Sequence, residues 1–360
     1  MPDSSSASDV PSRVVLEGVP RIGFDTHKGF AFPAALEACL QYLGEDDAYD
    51  YTYLMGASGA AFALLWEIRP WSYVGDLTDR AINSGRTDPV RRTFRAIGLD
   101  YQFLPKEQRP GNEADLRRAI TDSLRDNRPV LATGVVGPPA CSIIAGYDEG
   151  GEVLIGWSYF QGSPGHDPAS EFEPSGYFRK RGWYGDTGQV MTIGDGTRKA
   201  PPAQVYRQAL KRAVFLAQRP RALGCRSGLA AYTAWAADLL RDRDFPPDDL
   251  SVLLARLDCH FGALSVVVEG RWHAALFVRR AADSLPKMAE GLQQAAACYE
   301  AQTGLMMQVV ELQGGWDPHG EQVARQLGEP AVRREMAALI EQAREKDAEA
   351  AGHVERAVGE

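Results

Sequence analysis

The sequence predicts an α+β chain: an N-terminal domain built on an antiparallel sheet with one early helix, followed by an all-α domain. Three observations predict it. From Val14 to Lys199 the chain is rich in Gly, Pro, Trp and Tyr, and its apolar residues come in short runs. Beyond Lys199 the composition turns to Ala, Leu, Arg and Glu at helical spacing, and "RKAPPAQ" supplies a proline-containing break between the two. A chain of 360 residues is long enough for two domains with cores of their own. We therefore expect residues 1–13 as a disordered lead, 14–199 as the sheet domain and 200–360 as the helical domain.

The first element is a helix over "PAALEACLQYLG" (Pro33 to Gly44), with proline in its first turn and glycine at its end. Leu36, Cys39, Leu40 and Leu43 fall on one face of it. A second helix is expected over Glu113 to Asp126. The runs Arg128 to Val136, Cys141 to Asp148, Glu152 to Phe160 and Gly188 to Gly194 read as strands bounded by Gly and Pro. Gly162 to Gly185 shows no period and reads as a surface excursion. Helices are then expected over Ala203 to Gln218, Arg226 to Arg241, Asp248 to Leu257, Arg271 to Ser284, Lys287 to Thr303 and Val332 to Val358. The last is strongly charged and reads as a solvated terminal helix.

Bulk properties narrow the function. A net charge of −9 argues against a general nucleic-acid binder, which needs a clustered basic surface. No apolar run approaches the roughly 20 residues that cross a bilayer, so no membrane partner is expected. "MPDSSSASDVPSR" lacks the basic-then-apolar pattern of a secretory leader. The five cysteines are scattered and contain no C-x-x-C pair, as suits reduced thiols, and we expect a cytoplasmic protein. No Gly-rich loop opens a helix, and no set of His, Cys, Asp and Glu has metal-ligand spacing, so neither cofactor nor metal is expected.

Two stretches carry a resemblance. "PAALEACLQYLG" as a helix and "CSIIAGYDEGGEVLIGW" as a strand hairpin are together similar to the papain-like cysteine-peptidase superfamily. The likeness is to double-glycine leader peptidases and, with the helical half included, to the N-terminal domain family typified by the butirosin-biosynthesis acyltransferase. The second stretch follows the family pattern His-x-apolar-apolar-x-Gly-Tyr-Asp and then an apolar strand, except that Cys141 stands at the histidine. The resemblance spans about residues 14–195. It implies a papain-like sheet domain with a nucleophilic thiol at a helix start, a histidine on one strand and an orienting carboxylate or amide on the next. Carried over one at a time, the nucleophile's place falls in "FAFP", with Ala31 nearest, the histidine's place is Cys141, and the orienting residue's place is Gly156 or Trp157.

The residues leave another arrangement open. Cys141 could be the nucleophile, with His27 of "DTHKGFAFP" as its base and Asp25 as orienter. Helix-start amides near Phe32 to Ala34 would then stabilise a thiolate or oxyanion. With a hairpin turn at Asp148 to Gly151, Cys141 pairs across from about Ser158. Cys39 is the alternative nucleophile, and its plainer reading is a buried small hydrophobe. Trp157, Ser158 and Tyr159, with Ser58, are the candidates to line a substrate cleft, within a dense aromatic set that includes Phe160, Trp183, Tyr184, Trp66 and Trp71.

Other motifs have plainer readings. "MGASGAAF" lacks the spacing of a serine nucleophile elbow and reads as small residues in close packing. His166/Asp167 and Asp317/His319 stand alone and read as turn chemistry, and His260 and His273 as structural histidines. Three functions stay open. One is a thiol enzyme of acyl transfer or amide hydrolysis on a small molecule or peptide in specialised metabolism, for which the resemblance implies an amine or an acyl carrier protein as partner. The second is a catalytically inactive papain-like protein that binds such a ligand. The third is an interaction protein forming homo-oligomers through the helical domain.

Overall fold

The computed structural model describes residues 11–23, 28–45, 49–68, 71–72, 75–161, 171–317 and 320–359. A short strand, β1 (Val14–Val15), leads to α1 (Ala31–Tyr42). Every α1 residue from Ala31 to Leu40 is buried, as suits a helix whose apolar residues run round all sides. Pro33 costs nothing in the first turn, where backbone N–H groups have no helical acceptor. Gly44, at φ 75°, takes the left-handed position just past the helix end. Glu37 is the one acid on α1's buried face, and it is held in an ion pair with Lys28.

Next come α2 (Tyr51–Ser58), β2 (Leu65–Trp66), α3 (Leu77–Asn83), α4 (Asp88–Ile97) and β3 (Leu99–Pro105). Asp50 caps α2 by accepting the Tyr53 N–H at 2.9 Å, and Asp76 caps α3. Then follow α5 (Asn112–Arg125), β4 (Val130–Thr133), β5 (Cys141–Asp148), β6 (Val153–Trp157), β7 (Glu171–Phe172), β8 (Phe178–Arg181) and β9 (Gln189–Gly196). The rest of the chain holds α6 (Pro202–Gln218), β10 (Arg221–Ala222), β11 (Cys225–Ser227) and α7 (Leu229–Leu239). It ends with α8 (Leu250–Ser284), α9 (Ala289–Gln313), α10 (Glu321–Gly328) and α11 (Pro330–Gly359).

The chain divides into two compact units: Met1–Ala48 with Leu99–Thr197, and Tyr49–Gly98 with Arg198–Glu360. The stretch Tyr49–Gly98, read above as part of the sheet domain, therefore belongs with the helices. Its first helix is buried along its whole length, so it carries no amphipathic period to show where it packs.

Among the described residues the first unit is an eight-stranded sheet in the order β3-β9-β4-β5-β6-β8-β7, with β1 also pairing β5. All its pairings are antiparallel. β4 is buried throughout and β5 from Cys141 to Tyr147, which is why both read as unbroken apolar runs rather than alternation. α1 and α5 pack on these two strands. The β5–β6 turn uses Glu149, Gly150 and Gly151, all at positive φ, and Asp148 anchors it by accepting the Glu149 N–H at 2.8 Å. Asp148 also pairs with Arg13 and Arg179, each at 3.0 Å, and these arginines hold its carboxyl below the usual carboxylate range.

Two expectations change here. Of the lead expected at residues 1–13, residues 1–10 lie outside the described residues, but Pro11 to Arg13 are held: Pro11 O accepts from Tyr147 Oη, and Ser12 O from Gly150 N at 2.8 Å. The excursion at 162–185 is a strand pair over its described part, β8 pairing with both β6 and β7. Trp183 is buried there, with Nε1 donating to Gly151 O at 2.9 Å. "FRKR" hides this strand because its side chains are those of a charged strand near a sheet edge.

In the second unit α8 runs unbroken through residues 258–270, where the sequence suggests a gap between two helices. A Cβ on Gly270 would stand 3.3 Å from the Ala61 carbonyl, so close packing keeps a glycine in mid-helix against its poor propensity. By length and composition α8 could cross a membrane, on averaged hydropathy rather than on an unbroken apolar run. Its inner residues are core: Leu257, Leu264, Val267 and Phe277 are buried. Trp66 and Trp71 join this core, Trp66 stacked on Trp235 with centroids 5.8 Å apart and bonded through Nε1 to Asp238 at 2.7 Å.

Candidate functional site

The candidate site lies where the start of α1, the start of β5 and the end of β6 are set by the sheet. Ala31 opens α1 and is buried; Phe30 precedes it with no side-chain cap. Cys141 opens β5, pairs with Thr133 of β4 and is wholly buried. A register shift between Ile144 and Gly146 brings Ile143 opposite Trp157, so Cys141 lies beyond the last paired residue of β6. Gly156 faces Ile144, and a Cβ there would stand 1.9 Å from the Ile143 carbonyl oxygen. No carboxylate can project from that position without breaking the pairing.

The side chains expected to line a cleft each hydrogen-bond to the backbone. Trp157 Nε1 donates to Val19 O at 2.9 Å and Tyr159 Oη to Lys28 O at 2.9 Å. Ser158 Oγ donates to Val136 O at 2.9 Å and accepts from Phe160 N. Tyr177 Oη, unforeseen from sequence, donates to Leu16 O at 2.9 Å and accepts from Val19 N at 3.1 Å. Trp157 and Tyr177 meet edge-on at 4.7 Å. Trp157, Tyr159 and Tyr177 thus fasten Leu16, Val19 and Lys28 to the ends of β6 and β8, which a sequence reading of aromatic density could not separate from ligand contact.

The thiolate is the reactive form of cysteine, and burial works against it. Cys39 is wholly buried in α1, and burial pushes its pKa far up. Burial likewise raises Cys225 and Cys259, each to about 11, and raises half-buried Cys298. His27 and Asp25, the partners expected for Cys141, lie outside the described residues.

Ser58 belongs to the other compact unit. It ends α2, is buried, donates to Met55 O at 3.2 Å and accepts from Ala60 N, so its hydroxyl serves the helix end. Its neighbours explain "MGASG": Gly56 faces the Phe277 ring, which an added Cβ would approach to 2.1 Å, and Gly59 caps α2 at φ 89°. Among the described residues no group of three or more His, Cys, Asp or Glu is arranged to hold a metal. His166, Asp167 and His319 lie outside the described residues.

One polar constellation escaped the sequence reading. Thr52 Oγ1 lies 2.9 Å from His273 Nδ1, and Tyr51 Oη donates to Glu269 at 2.5 Å. The Tyr51 ring meets His273 edge-on at 4.9 Å, and Arg280 grips Asp50 through two bonds of 2.7 Å. The spacing of Glu269 and His273 puts both on one face of α8, but nothing local announces their partners on α2. This set docks the start of α2 on α8. A groove of about 430 Å³ along α5, lined by Arg117, Thr121, Arg125 and Gly150 among others, contains none of the candidate residues. The chain matches no protein-family model and no curated protein.

Proposed function

We propose that this chain is a papain-like protein that has lost thiol catalysis and acts by binding a peptide or small molecule. The papain-like assignment rests on the resemblance of the α1 and β5–β6 stretches. The loss of catalysis rests on one observation: the three places of the family's relay hold Ala31, Cys141 and either Gly156 or Trp157, of which the glycine has no room for a side chain and the indole Nε1 donates to Val19 O. Wholly buried sulfurs at Cys141 and Cys39 support the same reading. The test is to treat the folded protein with iodoacetamide and, separately, with an acyl thioester, and to map adducts by mass spectrometry. Half-buried Cys298 is expected to label first, with Cys39 and Cys141 labelling only in denaturant. An acyl adduct on Cys141 of the folded protein, lost in His27→Ala, would restore the enzyme reading and overturn this one.

A further inference from the structure

We infer that the protein forms a two-fold dimer in which α8 lies antiparallel against α8 of a second copy. The starting observation is a mismatch between composition and burial. The most apolar 18-residue window of α8 has mean hydropathy 1.5, yet only 39% of it is buried within the protomer. Phe261, Ser265, Val268, Trp272 and Leu276 all retain exposure, Val268 while also packing against the core, and Trp272 is 54% exposed. Their spacing of three or four residues draws them into one stripe along the helix. Exposed charges close the stripe at its ends, Asp258 before it and Arg279 after it.

The stripe matches its own reverse at three pairs of positions, while Val268 at its centre falls opposite Glu269. Asp258 and Arg279 stand equally far on either side of the midpoint between Val268 and Glu269, and so do Phe261 and Leu276, and Ser265 and Trp272. A second copy turned about an axis through that midpoint therefore sets acid against base at both ends. It also sets Phe261 against Leu276, and the small Ser265 against the indole of Trp272. The matched positions run for about 30 Å of helix. Trp316, 45% exposed, stands edge-on to Phe261 at 5.3 Å and widens the apolar surface at each end of the contact. Arg279 already bridges Glu300 within the protomer, but a guanidinium has five N–H donors and can hold a second carboxylate.

The self-match is what selects the occupant. An unrelated protein places no demand on the stripe to complement its own reverse. A bilayer has no use for an acid at one end matched by a base at the other.

Sedimentation of the full chain tests the inference. The wild type is expected to be a dimer, and Trp272→Glu to weaken it by roughly tenfold or more, the loss typical of a central aromatic anchor. Asp258→Arg alone and Arg279→Asp alone should each weaken the dimer, and the double variant D258R/R279D should restore it. Circular dichroism of each variant separates lost association from lost folding, and the exposed charge swaps keep the test valid even where W272E does not fold. A wild type that stays monomeric at every concentration overturns the inference. So does a dimer indifferent to the charge swaps, or a monomer that partitions onto phosphatidylcholine–phosphatidylglycerol vesicles through Trp272.

Discussion

Arg271 on α8 and Asp347 on α11 form a buried bidentate ion pair, Nη2 to Oδ2 at 2.6 Å and Nε to Oδ1 at 2.9 Å. Nη1 of the same guanidinium donates to the carbonyls of Ala61 and Ala63, both at 3.1 Å. Burial alone would lower the arginine's pKa, but the adjacent carboxylate outweighs it and the charge is kept. The pair thus ties two long helices to the turn after α2. Asp347→Ala strands a buried cation and should cost about 3–5 kcal/mol, while R271M/D347L, which removes both charges, should cost less than that single change. Urea unfolding midpoints at constant slope check the ordering.

His260 should set the acid limb of stability. It is wholly buried, and Nδ1 accepts from Trp235 Nε1 at 3.0 Å, which places the proton of the neutral ring on Nε2. Burial holds its pKa down to about 3. The unfolded chain protonates near pH 6.5 and the folded one does not, so the unfolded state binds more protons between those values. Stability from this residue is complete above about pH 6.5 and is lost as the pH falls, by about 2 kcal/mol at pH 5. Denaturation curves from pH 7 to pH 4 should show that slope in the wild type and lack it in His260→Gln.

Two glycines should prove intolerant for steric reasons. In Gly56→Ala the new methyl meets the Phe277 ring, a buried side chain that can shift only by repacking, at a cost of about 1–3 kcal/mol. In Gly156→Ala it meets the Ile143 carbonyl, part of the sheet itself, so the loss should be larger. Amide exchange would show the difference: accelerated across β5 and β6 for Gly156→Ala, and across α2 and α8 for Gly56→Ala.

What could be read from the sequence follows from what is local. The strand Cys141–Asp148 is bounded by Pro and Gly turns and stands in the structure with those limits. α1 announces itself through Pro33 and Gly44, although its single apolar stripe understates a helix buried on all sides. α2 is hidden because its pattern is uniform, and α8 does not read as one helix although it runs unbroken, with Gly270 packed close to Ala61 in its middle. The constellation of Thr52, Tyr51, Glu269 and His273 was illegible for another reason. Its halves lie more than two hundred residues apart and meet only through tertiary packing. The hydroxyls of Ser158 and Tyr159 have the residue types of a binding cleft, and only their partners reveal that they hold backbone.

Asp50 joins two roles that substitution can separate. Its Oδ1 caps α2 through Tyr53 N, and both its oxygens meet Arg280. Partial burial raises its pKa, but Arg280 and the Tyr53 N–H outweigh that and bring it below the usual carboxylate value. Its contribution is therefore present above the unfolded pKa near 3.9 and lost as the pH falls through the lower folded value. The side chain is 46% exposed, so solvent screens the ion pair and most of its worth lies in the cap. Asp50→Asn keeps an N-cap acceptor and should cost less than about 1 kcal/mol, whereas Asp50→Ala loses cap and pair together and should cost about 1–2 kcal/mol. Added salt should narrow the gap between wild type and Asp50→Asn while leaving Asp50→Ala well below both. Thermal melts at low and high ionic strength measure this. Equal losses in the two variants would mean that the ion pair, and not the cap, holds the start of α2.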